Sequence, residues 1–155
     1  MQAVLFIGIQ ASGKTTFYLQ RFLSTHVRIS LDMLKTRARE RVLLDACLKA
    51  GQPFVVDNTN VTIERRAEYI GLAKAAGFRV IGYFFRTTVG DALRRNKQRA
   101  GKALVPAGGL FGTQKRLRPP VWNEGFDELY VVEIHPDNSF SVSEQPRGEA
   151  PPAAV

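Results

Sequence analysis

Residues 8–15 read Gly-Ile-Gln-Ala-Ser-Gly-Lys-Thr and fill every fixed position of the pattern GxxxxGK[ST]. The apolar run from Ala3 to Ile7 precedes this stretch, and the amphipathic run from Thr16 to Leu23 follows it. A strand before the glycines and a helix after them indicate a phosphate-binding loop, whereas the glycines alone would suit an ordinary turn. The stretch therefore predicts binding of a nucleoside triphosphate.

The residue types in this loop suit a triphosphate and its metal ion. Gly8 and Gly13 allow backbone angles that direct N–H groups toward an anion, and the dipole of the next helix adds a positive field. The Lys14 ammonium would neutralise the β- and γ-phosphates, and the Thr15 hydroxyl would bind the accompanying Mg²⁺. The predicted nucleotide-binding set is Gly8, Gln10, Ala11, Ser12, Gly13, Lys14, Thr15 and Thr16.

Length and composition indicate one globular domain. The chain has 155 residues, of which 45% are hydrophobic and 23% charged, enough for a sizeable core. No apolar stretch approaches the ~20 residues that cross a bilayer, and the first residues lack a signal-peptide pattern. Cys47 is the single cysteine, so neither a disulfide nor a cysteine metal site is expected. We expect a cytoplasmic protein with no membrane partner.

The positive charge is concentrated in one region. The formal net charge is +8, and residues 92–123 contain basic side chains but no acidic one. The basic residues of this run are Arg94, Arg95, Lys97, Arg99, Lys102, Lys115, Arg116 and Arg118. A solvated helix face normally mixes signs, so this run favours a nearby polyanion such as a nucleic acid over a role in solubility alone.

Strand-like and helix-like runs alternate along the chain, which predicts an α/β fold with a mostly parallel five-stranded sheet and helices on both faces. The predicted strands are 3–8, 27–30, 54–57, 79–85 and 129–134, and the predicted helices are 14–24, 32 to about 50, 62–76 and 88 to about 100. Residues 1–136 would form the domain, including a small basic lid at about 88–120. Residues 137–155 would form a disordered tail.

Three loops follow predicted strands and should meet at the carboxyl ends of the sheet. The loop after the third strand begins with Asp57, a carboxylate typical of a magnesium-supporting Walker B site, although 57–60 could also be a polar turn capped by Thr62. No Asp-Glu pair of a remodelling ATPase ends that strand, and residues 96–99 do not complete the G-protein motif NKxD. This combination favours a small kinase that uses ATP, with Thr15 and Asp57 at the metal.

Candidate catalytic residues come from the second loop and the lid. Asp32 follows the second strand, where a carboxylate could orient an acceptor hydroxyl and take its proton; Ser30 or Asp32 could equally cap the following helix. Arg95 and Arg99 lie four residues apart, which would place them on one helix face. They would stabilise charge on the transferred phosphoryl group or belong to a solvated basic helix.

Taken together, these segments resemble the kinase module of the polynucleotide 5′-hydroxyl kinases of phage, bacterial and animal end-repair enzymes. The matching pieces are 8–15, 30–32, 55–60 followed by Arg65-Arg66, 82–85, 92–99, Val105-Pro106 and 122–134. The resemblance implies a P-loop kinase fold with ATP and Mg²⁺ as donor and a nucleic acid 5′-hydroxyl end as acceptor.

The resemblance also implies roles for individual residues. Asp32 would be the general base, Lys14, Arg95 and Arg99 would stabilise the transferred group, and Lys35 stands where phage-type enzymes have an arginine that grips the acceptor's 3′-phosphate. The implied acceptor-binding set is Lys35, Asp57, Thr59, Asn60 and Arg66. Two other functions stay open: a kinase for a small or tRNA-borne hydroxyl, and an ATP-gated binding module that transfers no phosphate.

Overall fold

The computed structural model describes residues 1–99 and 104–148 as one α/β layer structure. Its strands are β1 (Gln2–Ile7), β2 (Val27–Ile29), β3 (Phe54–Val56), β4 (Arg79–Phe85), β5 (Glu128–Ile134) and β6 (Phe140–Glu144). Its α-helices are α1 (Lys14–Arg21), α2 (Leu31–Leu34), α3 (Arg37–Ala50), α4 (Ile63–Ala75), α5 (Val89–Asn96) and α6 (Ala107–Arg116). A short 3₁₀ helix, Trp122–Glu124, precedes β5.

The six strands form one sheet in the order β2-β3-β1-β4-β5-β6. The first five strands in this order are parallel, and β6 runs antiparallel to β5. Since β3 lies next to the central β1 and β2 lies next to β3, the loops that leave these three parallel strands meet at one edge. This edge is where ligands bind in open α/β sheets.

Alternate side chains of the central strands supply two hydrophobic cores, as the period of two in a strand requires. Val4 and Phe6 pack toward Phe17 of α1 on one face. Leu5 and Ile7 belong to the opposite core, to which Leu44, Tyr69 and Leu110 contribute from α3, α4 and α6. Helices thus cover both faces, as predicted.

The sheet has six strands rather than the predicted five. Phe140 of β6 packs edge-on against Phe17, with ring centroids 5.2 Å apart, and a turn closed by the His135 amide on the Ser139 carbonyl connects β5 to β6. The alternation of Phe140 and Val142 with serines carries the signal for this strand. The predicted tail was therefore wrong for 140–144, and its residues 149–155 lie outside the described ranges.

The helix predicted from Asp32 to about Ala50 is divided in two. Lys35 ends α2 with a φ of 72°, and the Thr36 hydroxyl caps α3 by accepting a hydrogen bond from the Arg39 amide at 3.2 Å. The expectation of a continuous helix after Asp32 was therefore wrong. The break makes α2 a separate turn that carries Asp32 at the edge of the sheet.

Among the described residues, no helix combines the length and the apolar character needed to cross a bilayer.

Candidate active site

The two glycines of the phosphate-binding loop after β1 act differently, and the predicted special backbone conformation is found at Gly13 but not at Gly8. Gly13 has a φ of 90° in the left-handed region and precedes α1 without a side-chain cap. Gly8 is required by crowding, since a Cβ there would lie 3.0 Å from the Phe85 Cβ and 3.1 Å from its carbonyl oxygen. The first amides of α1 therefore face the loop without a capping side chain among the described residues, as an anion-binding helix end requires.

The Lys14 side chain lies folded over this loop. Its Nζ donates hydrogen bonds to the carbonyl oxygens of Gly8 and Ile9 at 2.9 and 2.6 Å and to the Ser12 Oγ at 3.3 Å. Burial lowers the pKa of Lys14 to about 8, partly opposed by Asp57 and Asp32 and reinforced by Arg99. Lys14 is thus a desolvated cation whose binding partners are loop oxygens that a phosphate could replace.

A compact group of oxygens lies beside Lys14. The Thr15 Oγ1 donates to the Asp57 Oδ2 at 3.0 Å, and the Asp57 side chain is almost fully buried. Hydroxyl and carboxylate oxygens are ligands that Mg²⁺ accepts when substrate phosphates and water complete its shell. The donor set at Thr15 and Asp57 therefore fits the predicted metal.

Arg28 of β2 is a member of this group that sequence reasoning missed. Its Nε donates to the Asp57 Oδ2 at 2.8 Å, and its Nη2 lies 3.3 Å from the Thr15 Oγ1. The one available signal was a charged residue in the middle of a three-residue strand. Arg28 balances the Asp57 carboxylate and fixes its orientation toward Thr15.

Asp32 lies in the first turn of α2 with an exposed side chain that lines the cavity. The turn is held in place by Asn58, whose Oδ1 accepts a hydrogen bond from the Leu31 amide at 2.9 Å. Lys35 donates to the Asp32 carbonyl oxygen from the end of the same helix. Among the described residues Ser30 forms no side-chain cap, so the capping alternative is not realised by that residue.

Asn58 is itself held by a buried polar network that the sequence did not reveal. Its Nδ2 donates to the Glu40 Oε2 at 3.0 Å, and the Tyr69 hydroxyl donates to the Glu40 Oε1 at 2.5 Å. Arg37 donates to Glu40 at 3.1 Å and to Tyr69 at 3.0 Å. Burial and the hydrogen bond to Glu40 raise the pKa of Tyr69. Helices α3 and α4 thus fix the loop that positions Asp32.

The loops after β1, β2 and β3 enclose a cavity of about 790 Å³. Most of the predicted site residues line it: Gln10, Ala11, Ser12, Lys14, Thr15, Asp32, Lys35, Asp57, Thr59, Asn60 and Arg99. Arg37, Asn58, Arg65 and Arg116 line it too and were not predicted as site residues. The cavity combines cations, carboxylates and a phosphate-binding loop, which are the groups that phosphoryl transfer requires.

Arg66 lies elsewhere, which corrects its predicted role in acceptor binding. Its side chain has no exposed area, and its Nε and Nη2 donate to the two carboxylate oxygens of Glu124 at 2.7 and 3.0 Å. Its Nη1 donates to the Asn60 carbonyl oxygen at 2.9 Å. Arg66 therefore supports the loop after β3 from behind. Asn60 shares this internal role, as its Nδ2 donates to the Phe6 carbonyl oxygen at 2.7 Å.

The two lid arginines are not on one helix face as predicted. Helix α5 ends at Asn96, so Arg99 lies beyond it and lines the cavity, whereas Arg95 does not line it. Arg95 donates to the Thr87 hydroxyl at 3.3 Å, and burial lowers its pKa. Residues 100–103 of the predicted lid lie outside the described residues.

Asn96 connects the two described segments of the lid. Its side chain donates to the Val105 carbonyl oxygen at 2.5 Å and accepts from the Val105 amide at 2.9 Å. These paired hydrogen bonds mimic a backbone ladder and connect the end of α5 to the start of α6. The helix α6 that follows brings Arg116 to the cavity.

The sequence family described as an AAA domain matches residues 4–120. The bifunctional polynucleotide phosphatase/kinase of Schizosaccharomyces pombe is 32% identical over 74 residues, covering 47% of this chain and 18% of that protein. A protein of Acanthamoeba polyphaga mimivirus with a similar name is 26% identical over 148 residues, covering 90% of this chain and 35% of that protein. The chain thus spans about a third or less of these relatives.

Solved structures share the fold. A gluconokinase from Sinorhizobium meliloti superposes with a TM-score of 0.60 at 17% identity, covering 85% of this chain and 82% of that chain. Kti12 of Chaetomium thermophilum, in complex with ADP-AlF3, superposes with a TM-score of 0.61 at 18% identity, covering 84% of this chain and 88% of that chain. At such identities the likeness shows the fold alone.

The resemblance drawn from the sequence is confirmed by these relatives, and so is the predicted fold class. The chain belongs to the family described as an AAA domain and is a P-loop kinase-like module similar to polynucleotide kinases.

Proposed function

We propose that this chain is a kinase that transfers the γ-phosphoryl group of ATP to the 5′-hydroxyl end of DNA or RNA. The observation that carries the proposal is the placement of Lys14 and Asp32 on different loops of one cavity, close enough for Asp32 to act on the pKa of Lys14. A phosphate-binding cation and a carboxylate in one cavity are the two groups that transfer to a hydroxyl needs.

In the proposed reaction Lys14 and the amides of α1 hold the β- and γ-phosphates. Thr15 and Asp57 would hold Mg²⁺, which when bound neutralises charge on the phosphate oxygens. Asp32 accepts the proton of the acceptor hydroxyl while the oxygen of that hydroxyl bonds to the γ-phosphorus. The bond from that phosphorus to the oxygen shared with the β-phosphate breaks, and ADP leaves with the electron pair. Arg99 stabilises the charge on the transferred group.

Three further observations support ATP and a nucleic acid as the substrates. Kti12, a fold neighbour, was solved with ADP-AlF3, and both curated relatives are named as polynucleotide phosphatase/kinases. On the acceptor side of the cavity, Lys35, Arg37 and Arg65 lie with Asp32 along its lining. Arg37 and Arg65 are already paired with Glu40 and Glu68, so these cations favour an acceptor that carries phosphates through the positive field they add to the cavity.

A transfer assay with γ-labelled ATP tests this proposal. The acceptors are 5′-hydroxyl DNA, 5′-hydroxyl RNA, nucleoside 3′-monophosphates, free nucleosides and aminoacylated tRNA, with a 5′-phosphorylated oligonucleotide as the matched control. We expect label on the 5′-hydroxyl DNA or RNA and none on the control. Label confined to nucleosides or to tRNA would identify a kinase of another hydroxyl. Tight ATP binding without transfer to any acceptor would identify an ATP-gated binding module.

The pKa of Lys14 predicts how ATP binding depends on pH. Bound phosphates favour the charged ammonium and raise its pKa, whereas in the free protein that pKa is about 8. The affinity for ATP should therefore be constant below pH 8. Above pH 8 it should decrease with a slope that approaches ~10-fold per pH unit, because the protein must take up a proton to bind. Titration with a fluorescent ATP analogue from pH 7 to 9.5 measures this.

An exposed lysine provides the control for this titration. Lys49→Ala on α3 removes a cation outside the cavity and should leave the wild-type pH profile unchanged. Calorimetry at pH 8.5 in two buffers of different ionisation enthalpy should detect proton uptake on binding. A flat affinity up to pH 9.5 would contradict the lowered pKa of Lys14 on which this prediction rests.

A further inference from the structure

A second groove adjoins the candidate active-site cavity. It has a volume of about 480 Å³ and is lined by Thr62, Ile63, Glu64, Lys115, Arg116 and Arg118, which we call the basic groove. Thr62 and Arg116 also line the cavity, so the two spaces share a boundary. The first turn of α4 forms one side, and the end of α6 forms the other.

The two sides of the basic groove are fixed relative to each other. The Arg118 amide donates to the Val61 carbonyl oxygen at 2.8 Å, which connects the chain after α6 to the segment before α4. Thr62 caps α4 by accepting from the Arg65 amide at 3.2 Å. The groove is therefore built by the fold rather than by loosely held side chains.

The cations of the basic groove have no carboxylate partner in the part of the chain that the structure describes. Lys115, Arg116 and Arg118 are exposed, and within residues 1–99 and 104–148 none of them forms an ion pair with a carboxylate. Their side chains donate only to backbone carbonyls, Arg116 to Gly112 at 3.4 Å and Arg118 to Lys115 at 3.5 Å.

Several other surface arginines of this protein are paired with carboxylates, although the exposed Arg21 and Arg39 form no such pair among the described residues. Arg41, Arg65 and Arg94 each pair with a carboxylate one helical turn away. Among the described residues that line the basic groove, Glu64 is the one acidic side chain, against three cations. The excess of positive charge at a place continuous with the cavity favours an anionic ligand that also enters the cavity.

An apolar side chain lies among these cations. Ile63 lines the basic groove and is 43% exposed, although it is a large hydrophobic residue. Phosphates that alternate with flat bases are the repeating chemistry of a polynucleotide, and single strands bind in positively charged grooves in which other side chains contact the bases. A single free phosphate or nucleotide would leave most of this surface unused.

We propose that the basic groove binds the nucleotides that follow the 5′-terminal one, with Lys115 and Arg118 on their phosphates and Ile63 against a base or sugar. The proposal rests on the proposed function and specifies its acceptor as a polynucleotide chain rather than a small hydroxyl compound. The terminal nucleotide occupies the cavity, and the chain leaves it past Thr62 and Arg116.

The test compares a long and a short acceptor in the double variant Lys115→Ala/Arg118→Ala, which spares every residue of the cavity lining. For a single-stranded 5′-hydroxyl 12-mer we expect KM to rise about tenfold, and the slope of log KM against log salt to fall by about 1.4, at ~0.7 per lost phosphate contact. For a nucleoside 3′-monophosphate we expect kcat/KM to stay at the wild-type value. The matched control, Arg41→Ala/Lys49→Ala, removes the same charge from α3.

Several outcomes would overturn the proposal. One is an unchanged KM and salt slope for the 12-mer. Another is an equal loss of kcat/KM with the 12-mer and the mononucleotide. A third is stronger inhibition of 12-mer phosphorylation by an acidic peptide than by DNA. Lys115→Gln/Arg118→Gln repeats the test with longer side chains. Anisotropy of a labelled 12-mer without ATP separates the two proposals. Binding that depends on these cations supports the groove even if no hydroxyl is phosphorylated, whereas transfer without a chain-length effect supports the kinase alone.

Discussion

Replacing Asp32 by asparagine is expected to lower the rate of phosphoryl transfer at least ~10²-fold while ATP affinity stays near the wild-type value. The amide keeps the size and polarity of the side chain but cannot accept the proton of the acceptor hydroxyl. Asp32 is exposed on α2, so the substitution leaves the packing of the core unchanged. The hydrogen bond from the Leu31 amide to Asn58 keeps α2 in place. Single-turnover transfer to a 5′-hydroxyl oligonucleotide measures the rate, and equilibrium titration measures the affinity.

A second surface carboxylate serves as the control for this prediction. Asp45→Asn on α3 breaks an exposed ion pair with Arg41 and should leave transfer unchanged. Wild-type turnover in Asp32→Asn would remove Asp32 from the mechanism. A parallel loss of ATP affinity and rate would instead assign Asp32 to nucleotide binding, through its electrostatic effect on Lys14.

The parallel sheet and the phosphate-binding loop could be predicted from the sequence because local patterns determine them. Strand β4 was predicted with the bounds that the structure has, Arg79–Phe85, since an apolar run between Gly77 and a polar segment leaves few alternatives. The caps Thr62 and Thr88 were predicted as the starts of α4 and α5 for the same reason. Signals of this kind lie within a few residues of the element they define.

The break between α2 and α3 could not be predicted in this way. No glycine or proline marks it, and Lys35 is a residue type that rarely adopts the left-handed φ of 72° found there. The break depends on contacts far away in the sequence, since Asn58 binds the Leu31 amide and thereby fixes the direction of α2. Arg28 was missed for a similar reason, because its partner Asp57 lies far away in the sequence, directly after β3.

Arg65 and Arg66 show why adjacent residues on a helix cannot share one prediction. Successive positions of an α-helix point about 100° apart, so one arginine of the pair faces the cavity and the other the interior. Arg65 lines the cavity, whereas Arg66 is buried against Glu124. The Arg65-Arg66 motif predicted a basic residue near the acceptor, and the orientation of α4 places Arg65 rather than Arg66 at the cavity.

Replacing Arg66 by methionine is expected to lower the free energy of unfolding by ~3–5 kcal/mol, because it leaves the Glu124 carboxylate buried without its partner. The side chain of Arg66 has no exposed area and that of Glu124 is 5% exposed, so water cannot replace the lost contacts. The loop after β3 also loses the hydrogen bond to the Asn60 carbonyl oxygen. Thermal unfolding followed by circular dichroism should show Tm falling by about 6 to 20 °C.

Two variants distinguish this structural role from acceptor binding. Arg65→Met breaks an exposed pair with Glu68 and should cost less than ~1 kcal/mol. Arg66→Met/Glu124→Leu removes both charges of the buried pair and should recover part of the lost stability, since the uncompensated carboxylate is gone. If Arg66→Met kept the wild-type Tm and raised KM for the oligonucleotide, Arg66 would return to the acceptor-binding residues and the buried pair would contribute nothing to the fold.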